Sequence, residues 1–266
     1  MLDSLAKIVK QAAREEICPR YNNVVRKLKS DGSVITEADL AMQRIIATEL
    51  KREWPQFDFL GEEMSDSEHQ QLFDGAKEGL WVLDPLDGTS NFAAGIPYFS
   101  VSLALVQNGE ITAGLVYDPM RDECFSAQKG QGAFLNGERL TVEDFSFPMK
   151  KSIAIIDYKR LSEDLRLKLV ASPPFSSQRS FGSVALDWCW LACGRGHIYL
   201  HGQQKLWDYA AGYLILKESG GYACTLTGEP VFVGTMDSRS AVASSDKQFF
   251  SEWQTWLNAA NGQTTS

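Results

Sequence analysis

Trp81-Val82-Leu83-Asp84-Pro85-Leu86-Asp87-Gly88-Thr89-Ser90-Asn91-Phe92 changes character halfway along its length. Trp81, Val82 and Leu83 form an apolar run of the kind buried in a sheet, and Asp84 follows at its end. Pro85 lacks an amide hydrogen and is expected to end the ladder, after which Asp87-Gly88-Thr89 makes a tight turn. Two carboxylates three residues apart across such a turn can converge on one point. Asp and Gly are also ordinary turn residues, so this stretch alone is equally compatible with a capped turn.

Two further acidic sites stand at similar punctuation. Gly61-Glu62-Glu63 follows the apolar run Phe57-Asp58-Phe59-Leu60, and Trp207-Asp208 separates a strand ending near His201 from an apolar helix. In isolation Asp208 reads as a helix N-cap. Taken together, four acids at strand or helix ends point to a common pocket. Clustered carboxylates raise one another's pKa unless a cation joins them, and a set nearly free of His and Cys calls for a hard divalent ion. Mg²⁺ is the expected guest, because it takes a few carboxylates, keeps several waters and meets phosphate oxygens of a substrate.

Outward from this stretch, apolar residues recur at helical spacing from Leu2 to Ala13, and again after Thr36-Glu37-Ala38-Asp39, which has the form of a capping box, until Pro55. Short apolar runs then predict strands at 57–60, 80–83, 99–106, 111–117 and 122–127, with Asn108-Gly109 marking a hairpin and Asn136-Gly137 another tight turn. Beyond residue 150 the pattern predicts strands near 152–156, 178–181, 197–201, 222–225 and 241–244. Helices are expected at 161–170 and 183–193, from Trp207 to Gly220, and from Asp246 onward. This mixture of helices and antiparallel hairpins does not fit a plain doubly wound sheet. Residues 261–266 read as a frayed tail.

Composition narrows the function. The chain has 266 residues with 26 Lys+Arg against 34 Asp+Glu, a net charge of −8, and its only short basic run is Arg26-Lys27-Leu28-Lys29. That balance gives no footprint for a phosphate backbone, so no direct contact with nucleic acid is expected. Three histidines (His69, His197, His201) are too few for a histidine-rich metal site. The five scattered cysteines and the polar N-terminus fit a reducing, cytoplasmic setting, and no apolar run approaches the length needed to cross a membrane.

The set Gly61-Glu62-Glu63, WVLDPLDGTSNF at 81–92 and WDYAAGYLILKESGG at 207–221 resembles the inositol monophosphatase family of Mg²⁺-dependent, lithium-sensitive phosphatases. Gly114-Leu115-Val116-Tyr117-Asp118-Pro119 and Arg179-Ser180-Phe181-Gly182-Ser183 support the match, which runs from about Leu28 to Ala243. The resemblance implies an α/β chain of mixed α+β type, folded as the layered α-β-α-β-α sandwich of the sugar phosphatases. We expect one catalytic unit over 1–266 with approximate subdomains at 1–148 and 149–266, and a homodimer.

The resemblance further implies two or three Mg²⁺ per subunit. Glu62, Asp84 and the Leu86 carbonyl would hold one ion, and Asp84, Asp87 and Asp208 a second. Gly88 and Thr89 would meet the phosphate of the substrate, Thr89 with Asp39 would orient the attacking water, and Glu62 counts with them as catalytic. From the sequence, Asp39 is claimed by two roles, capping-box partner and catalytic acid. The substrate side would be formed by Asp87, Gly88, Thr89, Ser183, His201, Lys205 and Asp208. Where inositol-specific members have Glu and often His, this chain has His201 and Lys205, and a lysine there suits a second anionic group on the substrate. Both residues can equally be ordinary strand-end and loop residues.

The expected activity is therefore Mg²⁺-dependent hydrolysis of a small polyol or sugar-type phosphate by an activated water. Histidinol phosphate, fructose bisphosphate or a 3′-phosphoadenosine-type nucleotide are alternatives on the same chemistry. A non-catalytic or moonlighting interaction protein on the same scaffold is the alternative class, disfavoured by the intact acidic set. Two other phosphatase patterns fail on spacing. Cys189 and Arg195 match a Cys-x5-Arg pattern, but at the end of an apolar helix. The aspartyl phosphatase pattern needs its nucleophile two residues before Asp87, where Pro85 stands.

Overall fold

The computed structural model describes residues 1–21, 24, 27–28, 32, 34–141 and 144–260. Part of the basic run at 26–29 and the tail at 261–266 lie outside the described residues. The chain opens with helix α1 (Leu2–Glu16), a two-stranded ribbon of β1 (Lys27–Leu28) and β2 (Val34–Ile35), and helix α2 (Glu37–Glu53). A first sheet follows, built from β3 (Asp58–Gly61), β4 (Leu80–Asp87), β5 (Ser100–Gln107), β6 (Glu110–Asp118), β7 (Glu123–Gln128), β8 (Gly132–Leu135) and β9 (Glu138–Arg139) in sequence order. β3 runs parallel to β4 and every later neighbour is antiparallel. Helix α3 (Asp66–Gly75) makes the β3–β4 crossover, and α4 (Thr89–Ala94) interrupts the β4–β5 connection.

The second sheet has the order β11-β10-β12-β14-β13, from β10 (Ile153–Asp157), β11 (Ser177–Arg179), β12 (Ile198–Gln204), β13 (Tyr222–Cys224) and β14 (Arg239–Ser244). Its helices are α5 (Glu163–Ala171), α6 (Val184–Ala192), α7 (Leu206–Glu218) and α8 (Lys247–Ala260).

Strand alternation sorts these elements into five layers. In β4, Trp81 and Leu83 face Met42, Ile46 and Leu50 of α2, while Leu80 and Val82 face the cluster that holds Leu186, Trp188, Ala211 and Ile215 of α6 and α7. In β12, Tyr199 joins that same middle cluster and Ile198 and Leu200 turn outward to Leu165 of α5 and to Trp253 and Leu257 of α8. The α6–α7 layer is thus apolar on both sides, which is why these helices carry little polar face and bury nearly every residue. The result is the expected α-β-α-β-α sandwich.

One sequence expectation is corrected at the decisive stretch. β4 does not end at Pro85; its ladder to β5 runs Asp84↔Ser102 and resumes at Asp87↔Ser100, with a register shift between. The irregularity removes the need for a ladder hydrogen bond at the proline, so the strand continues through it. α3, α4 and the β8–β9 hairpin strands were not predicted. Trp188-Cys189-Trp190 divides between settings: Trp188 is fully buried against Tyr199 and Tyr213, and Trp190 is half-buried.

Candidate active site

The β4 irregularity gathers polar atoms where a regular strand would have none. The Leu86 amide donates to Asp84 Oδ1 at 2.9 Å, which folds the chain back on the first carboxylate and leaves the Leu86 carbonyl pointing to the Thr89 hydroxyl at 2.8 Å. Gly88 then takes φ +92° and starts α4, and a Cβ there would lie 3.1 Å from the Tyr98 carbonyl and 3.2 Å from that of Gly182. Glycine is required at this position by both conformation and space. Asn91 locks the turn by donating its amide to the carbonyls of Tyr98 at 2.8 Å and Phe181 at 2.7 Å.

Asp39 completes the capping box and also reaches Thr89. Its Oδ2 accepts from the Thr36 amide at 2.8 Å and the Thr36 hydroxyl at 2.5 Å, completing the capping box of α2, while Oδ1 lies 3.0 Å from the Thr89 hydroxyl. Burial raises its carboxyl above the usual range, against the lowering effect of the Thr36 and Thr89 contacts.

Asp87 is held from the other side. Its Oδ2 accepts from the Ser183 hydroxyl at 2.6 Å and the Ala185 amide at 2.7 Å, so the start of α6 is directed at this carboxylate. Burial, with a smaller contribution from Glu62, pushes the Asp87 carboxyl up to about 6 even with those donors. Ser183 is itself fully buried and stands behind Asp87, with Ser100 Oγ 3.3 Å away.

Asp208 occupies the third position of α7, not its N-cap, and accepts from the Lys205 amide at 2.9 Å. Two contacts fix α7 against the first sheet. Ser102, the β5 partner of Asp84, donates to the Trp207 carbonyl at 2.9 Å, and a Cβ on Gly114 would sit 3.0 Å from Ala211 Cα. Asp84 and Asp208 are both driven well above the usual carboxylate range, first by burial and then by repulsion from Glu62 and Asp87; Asp84 is further raised by Asp208, and Lys205 lowers Asp208 in part.

Asp84, Asp87 and Asp208 make no ion pair among the described residues. The four acids lie within one another's field but are not closed around a point. Among the described residues no three His, Cys, Asp or Glu side chains converge tightly enough to hold a metal ion as they stand. Asp84 and Asp87 are buried and Glu62 and Asp208 half-buried, and with the Leu86 carbonyl this oxygen-only set fits a hard divalent cation in chemistry.

His201 and Lys205 lie at a second irregular strand. The β12–β14 register shifts between His201 and Gln204, and the His201 ring accepts from the Gln203 amide at 3.2 Å with Nε2 3.6 Å from Asp157 Oδ2. Lys205 is exposed, its ammonium 6.0 Å from the Trp207 ring centroid. The rejected cysteine pattern also finds no site. Cys189 is fully buried with its thiol pushed well up by that burial, and Arg195 forms a two-point pair with Glu123 at 2.5 and 2.6 Å.

His69 was missed from the sequence. It is buried on α3, donates Nε2–H to the Gly61 carbonyl at 2.9 Å and lies 4.7 Å, ring to ring, from Trp207.

Comparison with known proteins gives the family of the chain. The model described as the inositol monophosphatase family matches residues 1–262. The chain is 37% identical over 211 residues to a Nus factor SuhB of Xylella fastidiosa, covering 77% of this chain and 73% of that protein. It is 34% identical over 248 residues to an inositol-1-monophosphatase of Rhizobium meliloti, covering 89% and 88%. A solved structure of a Thermotoga maritima IMPase superposes with a TM-score of 0.83 at 28% identity, covering 98% of each chain. No helix among the described residues is long and apolar enough to cross a membrane. The chain belongs to the inositol monophosphatase family.

Proposed function

We propose that this phosphoric monoester hydrolase acts on small polyol or sugar-type phosphates, with Mg²⁺ held by Glu62, Asp84, Asp87, Asp208 and the Leu86 carbonyl. The observation that carries the reading is the group of buried and half-buried carboxylates that repel one another beside a glycine turn, with no ion pair on Asp84, Asp87 or Asp208 among the described residues. A bound divalent cation supplies charge stabilisation for phosphoryl oxygens and lowers the pKa of water.

The chain's own residues supply position and proton handling. The Thr89 hydroxyl has one proton and two acceptors, the Leu86 carbonyl and Asp39 Oδ1, so it gives that proton to one and keeps lone pairs for a water. Asp39, buried and anchored by Thr36, is raised toward the range in which a carboxylate accepts a proton usefully at neutral pH. Gly88, Thr89 and Ser90 offer backbone amides ahead of the first intrahelical bond, which runs from Asn91 to the Gly88 carbonyl, and this suits phosphate oxygens. Ser183 and the Ala185 amide serve the substrate indirectly, by fixing Asp87.

Lys205 beside Asp208 favours a substrate with a second anionic group, such as a bisphosphate. Phosphate release from a panel of monoesters, compared by kcat/KM with Mg²⁺ and with a chelator, tests both parts. A second role as an interaction protein is suggested by the Nus factor name of the Xylella fastidiosa relative. Asp84→Asn separates the two, because a binding role survives loss of turnover.

A further inference from the structure

We propose that His69 is a positioning residue that sets the Glu62 and Asp208 segments against each other and thereby tunes the cation site; the inference rests on the cation reading above. Glu62 belongs to the end of β3 and Asp208 to the start of α7, elements with no backbone pairing between them. His69 touches the neighbour of each. Its Nε2–H donates to the carbonyl of Gly61, the residue before Glu62, at 2.9 Å, and its ring lies 4.7 Å from that of Trp207, the residue before Asp208, at an interplanar angle of 44°.

The bridge is buried and directional. His69 is 3% exposed, the one fully buried residue of α3, whose Leu72 and Phe73 are half-buried against the middle cluster. The bond to a carbonyl fixes the proton on Nε2, and Nδ1 lies 3.9 Å from Asp66 Oδ1, beyond hydrogen-bond reach. The other side of the Gly61 segment is closed by Gln43. Its Oε1 accepts from the Glu63 amide at 3.1 Å, and a Cβ on Gly61 would lie 2.1 Å from that same atom. Glu62 is therefore carried on a segment gripped from α2 by Gln43 and from α3 by His69. Of the two grips, only the histidine also reaches α7. Ring and donor have separable work: the donor sets the height of the Gly61 carbonyl, and the ring sets its distance from Trp207.

Such outer contacts govern cation affinity more than overall stability, because they decide how far charged ligands must move to meet a common ion. The test is calorimetric titration of the metal-free, full-length protein with MgCl₂, alongside thermal melting without metal. Removing both contacts in His69→Ala is expected to weaken Mg²⁺ binding about tenfold. His69→Gln, which retains a donor for Gly61, is expected to weaken it less, and this graded recovery is what a merely structural residue would not produce. If the absence of a melting transition shows that the alanine variant is unfolded, the glutamine variant alone decides. Mg²⁺ binding by a folded variant as tight as that of the unaltered protein overturns the role of His69. Absence of Mg²⁺ binding by the unaltered protein overturns instead the cation reading on which it rests.

Discussion

Two strands of this protein break register beside the site, and they do so in opposite settings. β4 breaks between Asp84 and Asp87 in the first sheet, and there the nearby carboxylates, hydroxyls and amides are buried and partnered: Asp84 with Leu86, Asp87 with Ser183 and Ala185, Thr89 with Asp39. β12 breaks between His201 and Gln204 in the second sheet, and that stretch leads to the exposed Gln203 and Lys205. A closed irregularity holds charged groups in place against their own repulsion. An open one presents side chains that can change without disturbing the frame. Under the function proposed above, β4 would carry the reaction chemistry and β12 the selectivity.

The most severe way to break this contrast is Asp84→Asn. We expect kcat/KM to fall by roughly a thousandfold or more, about 4 kcal/mol of transition-state stabilisation, while the metal-free protein melts higher because one member of a repelling group is gone. Steady-state kinetics and a melting curve read the two effects separately. Thr89→Ala is expected to lower kcat by about a hundredfold with little change in KM, since it removes the link between Asp39 and water but no cation ligand.

A pH series sharpens the contrast further. The carboxyls of Asp84, Asp87 and Asp208 are raised in the folded protein, Asp87 to about 6, so the folded state holds protons that the unfolded chain has released. Their contribution to stability is complete below the ordinary carboxylate range and is lost as pH rises through the folded values. The metal-free protein should therefore melt lower at pH 7.5 than at pH 5, and Mg²⁺ should restore the midpoint at the higher pH, where its ligands are ionised. The mildest effect is expected at β12. Lys205→Ala should change the ratio of kcat/KM between a bis-anionic and a singly phosphorylated substrate by about fivefold, the scale of one exposed charge, with no change in melting.

Much of this organisation was legible in the sequence because it is written in local pattern. Alternation placed most strands of both sheets, and Thr36-x-x-Asp39 marked the start of α2. The acids were legible because each stands at the end of an apolar run. α3 was missed because DSEHQQLFDG has no apolar stripe, although Ser65-x-x-Glu68 is the same cap signature and was available. The continuation of β4 through Pro85 depended on its partner strand, and the pairing of the α6 start with Asp87 depended on contacts nearly a hundred residues apart. The same holds for His69, whose meaning lies in a carbonyl and a ring that come together only in the fold.

Whether the β4 carboxylates act by way of a divalent cation on a phosphate monoester, as proposed, is read from release of inorganic phosphate from inositol 1-phosphate and a generic monoester by the purified full-length protein, titrated with Mg²⁺ after chelation. No turnover is expected with chelator present, recovery should saturate with added Mg²⁺, and Asp84→Asn should show no such recovery. Turnover indifferent to the chelator, or a Mg²⁺ response that survives Asp84→Asn unchanged, would contradict the proposal.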